Sequence, residues 1–133
     1  MSNQPAIAAI ITIIATAGLV LATPVPAAAS TLGSATNATC TLGAKALLTL
    51  SHDDGHVEAE IELHAAKAGQ PWRIRFFNDG VRALTLTRNT VAEDGGGTLS
   101  SSRLLTDHAD GNQITVRVAN QVTGERCVVS ASA

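Results

Sequence analysis

The chain has 133 residues, 45% of them hydrophobic, with nine Lys and Arg against eleven Asp and Glu. That length permits one domain of ordinary size. A formal net charge of −2 gives no basic excess of the kind that marks nucleic-acid or anionic-membrane binders. The charges are unevenly placed, because the first charged side chain is Lys45.

The opening segment reads as a targeting signal. The run Ala6 to Ala22 (AIAAIITIIATAGLVLA) is apolar and uncharged. Pro24 and Pro26 follow, then Ala27-Ala28-Ala29-Ser30, whose small residues suit signal peptidase. The spacing predicts a helical signal segment over residues 1–29, cut after Ala29. The n-region departs from the usual pattern, having no Lys or Arg. An uncleaved anchor is the rival reading, since the run is at the lower limit of what spans a bilayer. Both readings place the remainder outside the cytoplasm. Residues 30–39, rich in Ser, Thr, Ala and Gly, read as a flexible lead-in. Residues 40–133 read as the folded domain.

Two cysteines exist, Cys40 and Cys127, near the two ends of the exported part. Two cysteines allow one intramolecular pairing, and an oxidising compartment favours it. Asn37-Ala38-Thr39 ahead of Cys40 does not resemble a lipobox.

From Cys40 onward the hydrophobic period is two. Ala46 to Leu50 is the expected first strand. His52-Asp53-Asp54-Gly55-His56 is turn chemistry, although its imidazoles and carboxylates also suit a divalent metal. Val57, Ala59, Ile61 and Leu63 then alternate with Glu58, Glu60, Glu62 and His64, as a half-buried strand requires. The three glutamates read as a solvated face able to pair with Arg73 and Arg75. Trp72, Ile74 and Phe76 share an inward face, and Arg73 and Arg75 the other. Asn78-Asp79-Gly80 is a hairpin signal. Apolar pairing favours a three-residue loop that sets Ile74 opposite Leu84 and Trp72 opposite Leu86.

Glu93-Asp94-Gly95-Gly96-Gly97 reads as a mobile loop. Thr98 to Leu105 is the weakest expected strand. His108-Ala109-Asp110-Gly111 turns the chain. Ile114, Val116 and Val118 mark a further strand, and Arg126 to Ser130 the last. About seven short strands at a spacing near ten residues predict an all-β, immunoglobulin-like antiparallel sandwich.

The strand Trp72-Arg73-Ile74-Arg75-Phe76 sits where immunoglobulin-like and fibronectin type III-like sandwiches keep a core tryptophan. The chain resembles these, and also small secreted single-domain actinobacterial proteins that end in a motif like Gly124-Glu125-Arg126-Cys127. The resemblance implies a fold and no assigned activity. True immunoglobulin domains pair cysteines on either side of the tryptophan across the sheets, whereas here the pair is terminal.

No catalytic constellation stands out, so an enzyme is not expected. Ser100-Ser101-Ser102, His108 and Asp110 supply hydrolase residue types but lack a nucleophile elbow. Asp53-Asp54-Gly55 and Glu93-Asp94-Gly95 do not fit a calcium loop. The absence of Tyr and the single Trp argue against a carbohydrate platform. The reading is an exported, monomeric, non-catalytic module with a structural or binding role at the envelope or in the medium. It has no cofactor, no nucleic-acid partner, and a protein or envelope component as ligand. The alternatives are a secreted inhibitor, a small metal-binding or hydrolytic protein built on His52, His56 or His108, and a tethered ectodomain. An inhibitory loop must be preorganised, and a mobile triple-glycine segment is not.

Overall fold

A computed structural model describes residues 32–133; the expected leader over residues 1–29 lies outside them. Among the described residues nine strands form two antiparallel sheets. They are β1 (Leu32–Thr39), β2 (Lys45–Asp53), β3 (His56–Ala65), β4 (Pro71–Asn78), β5 (Val81–Asn89), β6 (Val91–Glu93), β7 (Gly96–Thr106), β8 (Gln113–Asn120) and β9 (Arg126–Ser132). The first sheet has the order β1-β2-β3-β7-β6, and the second β5-β4-β8-β9. After β1 the chain runs as four hairpins placed alternately in the two sheets.

The core lies between the sheets and follows the period of two. Leu48 and Leu50 of β2, Val57, Ile61 and Leu63 of β3, Trp72, Ile74 and Phe76 of β4, and Ile114 and Val116 of β8 are fully buried. Every one of these is an alternate residue of its strand, so each intervening side chain faces out.

Two strands were not expected. Residues 32–39 are no lead-in but the edge strand β1, paired with β2 in an unbroken ladder from Ser34 to Thr39. Their Ser, Thr and Ala content hides the alternation, because an edge strand needs little apolar mass when β2 carries the core contacts. The second is β6, inside the segment read as a mobile glycine loop. Asp94 (φ 36°) and Gly95 (φ 83°) form a two-residue turn, and Glu93 pairs with Gly96. Consecutive positive φ values make the hairpin turn whose twist matches its strands. Gly96 and Gly97 belong to β7. They are glycine because the β3–β4 connection runs against them. A Cβ on Gly96 would lie 2.6 Å from the Ala65 carbonyl oxygen, and one on Gly97 would strike the Lys67 carbonyl and come within 2.8 Å of the Ala68 Cα. Gly97→Ala is therefore expected to push the hairpin off this connection and to cost about 1–3 kcal/mol in a denaturant titration. An unchanged midpoint would contradict the packing described. The mobility held against an inhibitory loop also falls away.

The β4–β5 hairpin corrects the expected register. Asp79 and Gly80, both at positive φ, form a two-residue loop, with Asn78 opposite Val81 and Phe77 opposite Arg82. A bulge then shifts the ladder, so that Phe76 faces Leu84, Ile74 faces Leu86 and Trp72 faces Arg88. A bulge keeps the apolar face inward while moving each partner by one residue.

The Cys40–Cys127 disulfide is formed. It does not join the first and last strands themselves, since Cys40 follows β1 in the β1–β2 turn while Cys127 is in β9. The bond thus ties the two sheets together along one edge. Thr41 N–H donates to the Arg126 carbonyl at 3.0 Å, and the Ser34 hydroxyl to the Ser132 carbonyl at 2.9 Å, on the same edge.

Candidate functional site

The residues with chemical potential are distributed over three places. The first is the end of the sandwich that holds the β2–β3 turn and the β7–β8 loop. His52 donates through Nδ1 to Asp107 at 3.3 Å, and Asn112 donates to the same carboxylate at 2.7 Å. His108 donates through Nδ1 to Asp79, whose other oxygen accepts the Gln113 N–H at 2.8 Å. A carboxylate only accepts, so each imidazole presents an N–H at Nδ1 to its partner. A cleft of about 400 Å³ is lined in part by His52, Asp107 and His108.

Carboxylate-oriented imidazoles of this kind serve metals and general bases. The remaining parts are not assembled. Among the described residues no group of three or more His, Cys, Asp or Glu is placed to hold a metal. His56 bonds the Asp54 carbonyl across its own turn at 3.2 Å, away from the His52–Asp107 pair. His108 is partnered by Asp79 and not by Asp110. Ser100 and Ser102 face out from β7, while Ser101 is buried. Asp54-Gly55 and Asp94-Gly95 are hairpin turns.

The hydrogen bond from the Gln113 N–H, and then that from His108, hold the Asp79 carboxyl below the ordinary carboxylate range. A lowered carboxyl adds stability above its unfolded-state pKa and loses it as pH falls through the folded one. Asp79→Asn, which keeps the positive φ tolerable, is expected to lower the melting midpoint at neutral pH. The offset from wild type should shrink as acid protonates Asp79. An offset that stays constant through acid titration would remove this role.

The second place is the outer face of the first sheet. Glu58, Glu60 and Glu62 stand in file along β3, and Glu58 accepts from the Ser102 hydroxyl at 2.8 Å. They do not pair with Arg73 and Arg75, which lie on the other sheet and point the opposite way.

The third place is the outer face of the second sheet. The ladder of β5, β4, β8 and β9 fixes its rows. Thr87, Arg73, Ala119 and Arg126 form one row; Thr85, Arg75, Arg117 and Val128 the next; Arg82, Phe77, Thr115 and Ser130 the third. These five arginines are the only charged residues of the three rows. None lies within 4.0 Å of a carboxylate, because the only ion pairs among the described residues are His52–Asp107 and His108–Asp79. Arg75 and Arg117 are directly opposite each other. Like charges so placed disfavour the sheet. The Arg117 guanidinium lies 5.2 Å from the Phe77 ring centre, a cation–π distance.

Arg73 and Arg75 were visible in the sequence as one face of one strand. Their union with Arg82, Arg117 and Arg126 was not, because β8 and β9 reach β4 only through the non-local order β5-β4-β8-β9.

No family model, no curated protein and no solved structure matches this chain. The functional reading rests on the geometry alone.

Proposed function

We propose that this is an exported, non-catalytic β-sandwich of immunoglobulin-like topology that binds an anionic partner at the cell envelope or in the medium through the outer face of β5-β4-β8-β9. Topology supports the fold half of this reading. Strands β2, β3, β7 and β6 occupy the places of A, B, E and D in the immunoglobulin scheme, and β4, β8 and β9 those of C, F and G. Trp72 then falls on the strand that carries the core tryptophan of that scheme. The disulfide departs from it, and β1 is an addition. A disulfide fits an oxidising environment, which supports export.

The single observation that carries the binding half is the unpaired arginine face. Folding gains nothing from setting Arg75 against Arg117, so a partner outside the chain is the economical reason for the cluster. Guanidinium forks match carboxylate and phosphate groups in two-point contacts.

The test is retention of the purified, oxidised protein on the envelope and concentrated medium of its producer. The Arg73→Gln/Arg75→Gln/Arg117→Gln variant changes only outward-facing side chains. Wild type should be retained and released by salt, and the variant should pass through. A Glu58→Gln/Glu60→Gln/Glu62→Gln variant should behave as wild type. Equal retention of wild type and the arginine variant would overturn the assignment of the face.

A further inference from the structure

We infer that the partner of the arginine face is a linear, flexible polymer of phosphodiester groups lying diagonally across the four strands; this rests on the binding reading of that face. The register carries the argument. Adjacent strands are about 5 Å apart, and alternate residues of a strand about 7 Å. Arg82 on β5, Arg75 on β4, Arg117 on β8 and Arg126 on β9 therefore descend as a stripe roughly 20 Å long, with Arg73 beside it. A stripe that crosses every strand of a sheet suits an extended ligand.

The shape of the face excludes a compact one. The five best-formed clefts among the described residues lie at strand ends and edges, and none of these five is lined by the arginines. The guanidiniums have nothing to converge upon, so a lone small anion would meet only one or two of them. The steps along the stripe are unequal, about 5 Å between Arg75 and Arg117 and about 8 Å on either side. A polymer whose charges are joined by flexible linkers adapts to unequal steps, whereas rings bearing carboxylates repeat at a fixed interval. All five cations are Arg, the side chain best matched to phosphate forks. Thr85, Thr87 and Thr115 share the rows and offer hydroxyls without charge.

Nucleic acid is disfavoured by the same inventory. Single strands need aromatic platforms for their bases. Phe77 is the face's one aromatic, half-buried beneath Arg117. A second copy of this chain would have to present Glu58, Glu60 and Glu62, which run along one strand rather than across four. The rest of the molecule repels a polyanion, carrying all eleven carboxylates against Lys45, Lys67, Arg88 and Arg103. That confines such a ligand to this one face.

The experiment is a titration of the oxidised protein with a synthetic poly(glycerol phosphate) at several salt concentrations. Inorganic phosphate, single-stranded DNA and polygalacturonate are run in parallel. Saturable binding to the phosphodiester polymer is expected. Its logarithmic salt slope should correspond to roughly three to five phosphates at about −0.7 each. The Arg73→Gln/Arg75→Gln/Arg117→Gln variant should bind at least tenfold more weakly with a melting midpoint no lower than wild type, since it removes the Arg75–Arg117 opposition. The corresponding Lys variant should keep the salt slope and lose part of the affinity, which separates fork geometry from charge. Tighter binding of DNA or polygalacturonate, or no polymer binding at all, would overturn the inference. If envelope retention still depends on the arginines, the broader reading survives that result; if it does not, both fall. Salt-sensitive self-association abolished by either the arginine or the glutamate variant would assign the face to a second copy instead.

Discussion

Trp72→Ala is expected to destabilise the protein by about 3–5 kcal/mol, the largest effect of any single core truncation. The reason is the composition of the core. Trp72 is fully buried, and the chain has two other aromatics. Phe76 is buried on the same face of β4, beyond Ile74, but Phe77 points to the outer face. Apart from the disulfide, the rest of the interior is Leu, Ile, Val and Ala held mostly on strands, and a strand paired on both sides, as β4 is, cannot collapse into a hole. The cavity should therefore stay open, and its cost should lie at the upper end for a large-to-small change. A domain of about a hundred residues commonly has 5–15 kcal/mol in total. Such a loss brings the variant close to unfolding at physiological temperature. Trp72→Phe should cost much less. It keeps most of the volume and removes an indole N–H that is buried with no hydrogen-bond partner among the described residues. The measurement is urea denaturation followed by circular dichroism, since each variant loses the sole tryptophan. A shift for Trp72→Ala below about 1 kcal/mol would remove Trp72 from the centre of the core.

How much of this was legible beforehand depended on how each strand earns its place. Alternation is strong where a strand has one buried face, and there the reading was accurate. Val57, Ala59, Ile61 and Leu63 are buried as the pattern requires, and so are Trp72, Ile74 and Phe76. Even the weakest expected strand, Thr98 to Leu105, lies wholly inside β7. Strands whose stability comes from a neighbour gave no such signal. β1 is held by its ladder to β2, and β6 by three pairs to β7 and a two-residue turn. Nothing within either segment distinguishes it from a loop. Gly96 and Gly97 misled for a related reason. Glycine runs read as mobile, yet these two are glycine because another backbone passes too close for a Cβ.

The candidate site was less legible than the fold. Local sequence placed Arg73 with Arg75, and His52 with His56. Only the first grouping holds, because alternate residues of one strand share a face wherever the strand goes. The partners that matter are non-local. Asp79 meets His108 across 29 residues, and His52 meets Asp107 across 55. The five arginines are gathered by strand order, to which no single segment testifies.

Removing the disulfide by Cys40→Ser/Cys127→Ser is the second large expected effect. The bond closes a loop with a sequence separation of 87. For a loop near that length the chain-entropy account gives a loss of about 4–5 kcal/mol, a ceiling that residual order in the unfolded chain reduces. The folded state should change little, because the same edge is fastened by other means. The buried Glu125 carboxylate accepts the N–H groups of Leu42 at 3.0 Å and Ala44 at 2.9 Å, and Arg126 N–H donates to the Thr41 hydroxyl at 3.2 Å. The effect should thus appear in the unfolded ensemble. The denaturation midpoint should fall while the m-value rises, since a chain freed of its cross-link exposes more surface on unfolding. Adding Glu125→Ala to the disulfide-free chain should cost more than its effect in the oxidised protein, as two fasteners of one edge are not independent. A midpoint fall with an unchanged m-value would move the effect into the folded state. It would mean that the bond, rather than the hydrogen bonds around Glu125, holds β1 against β9.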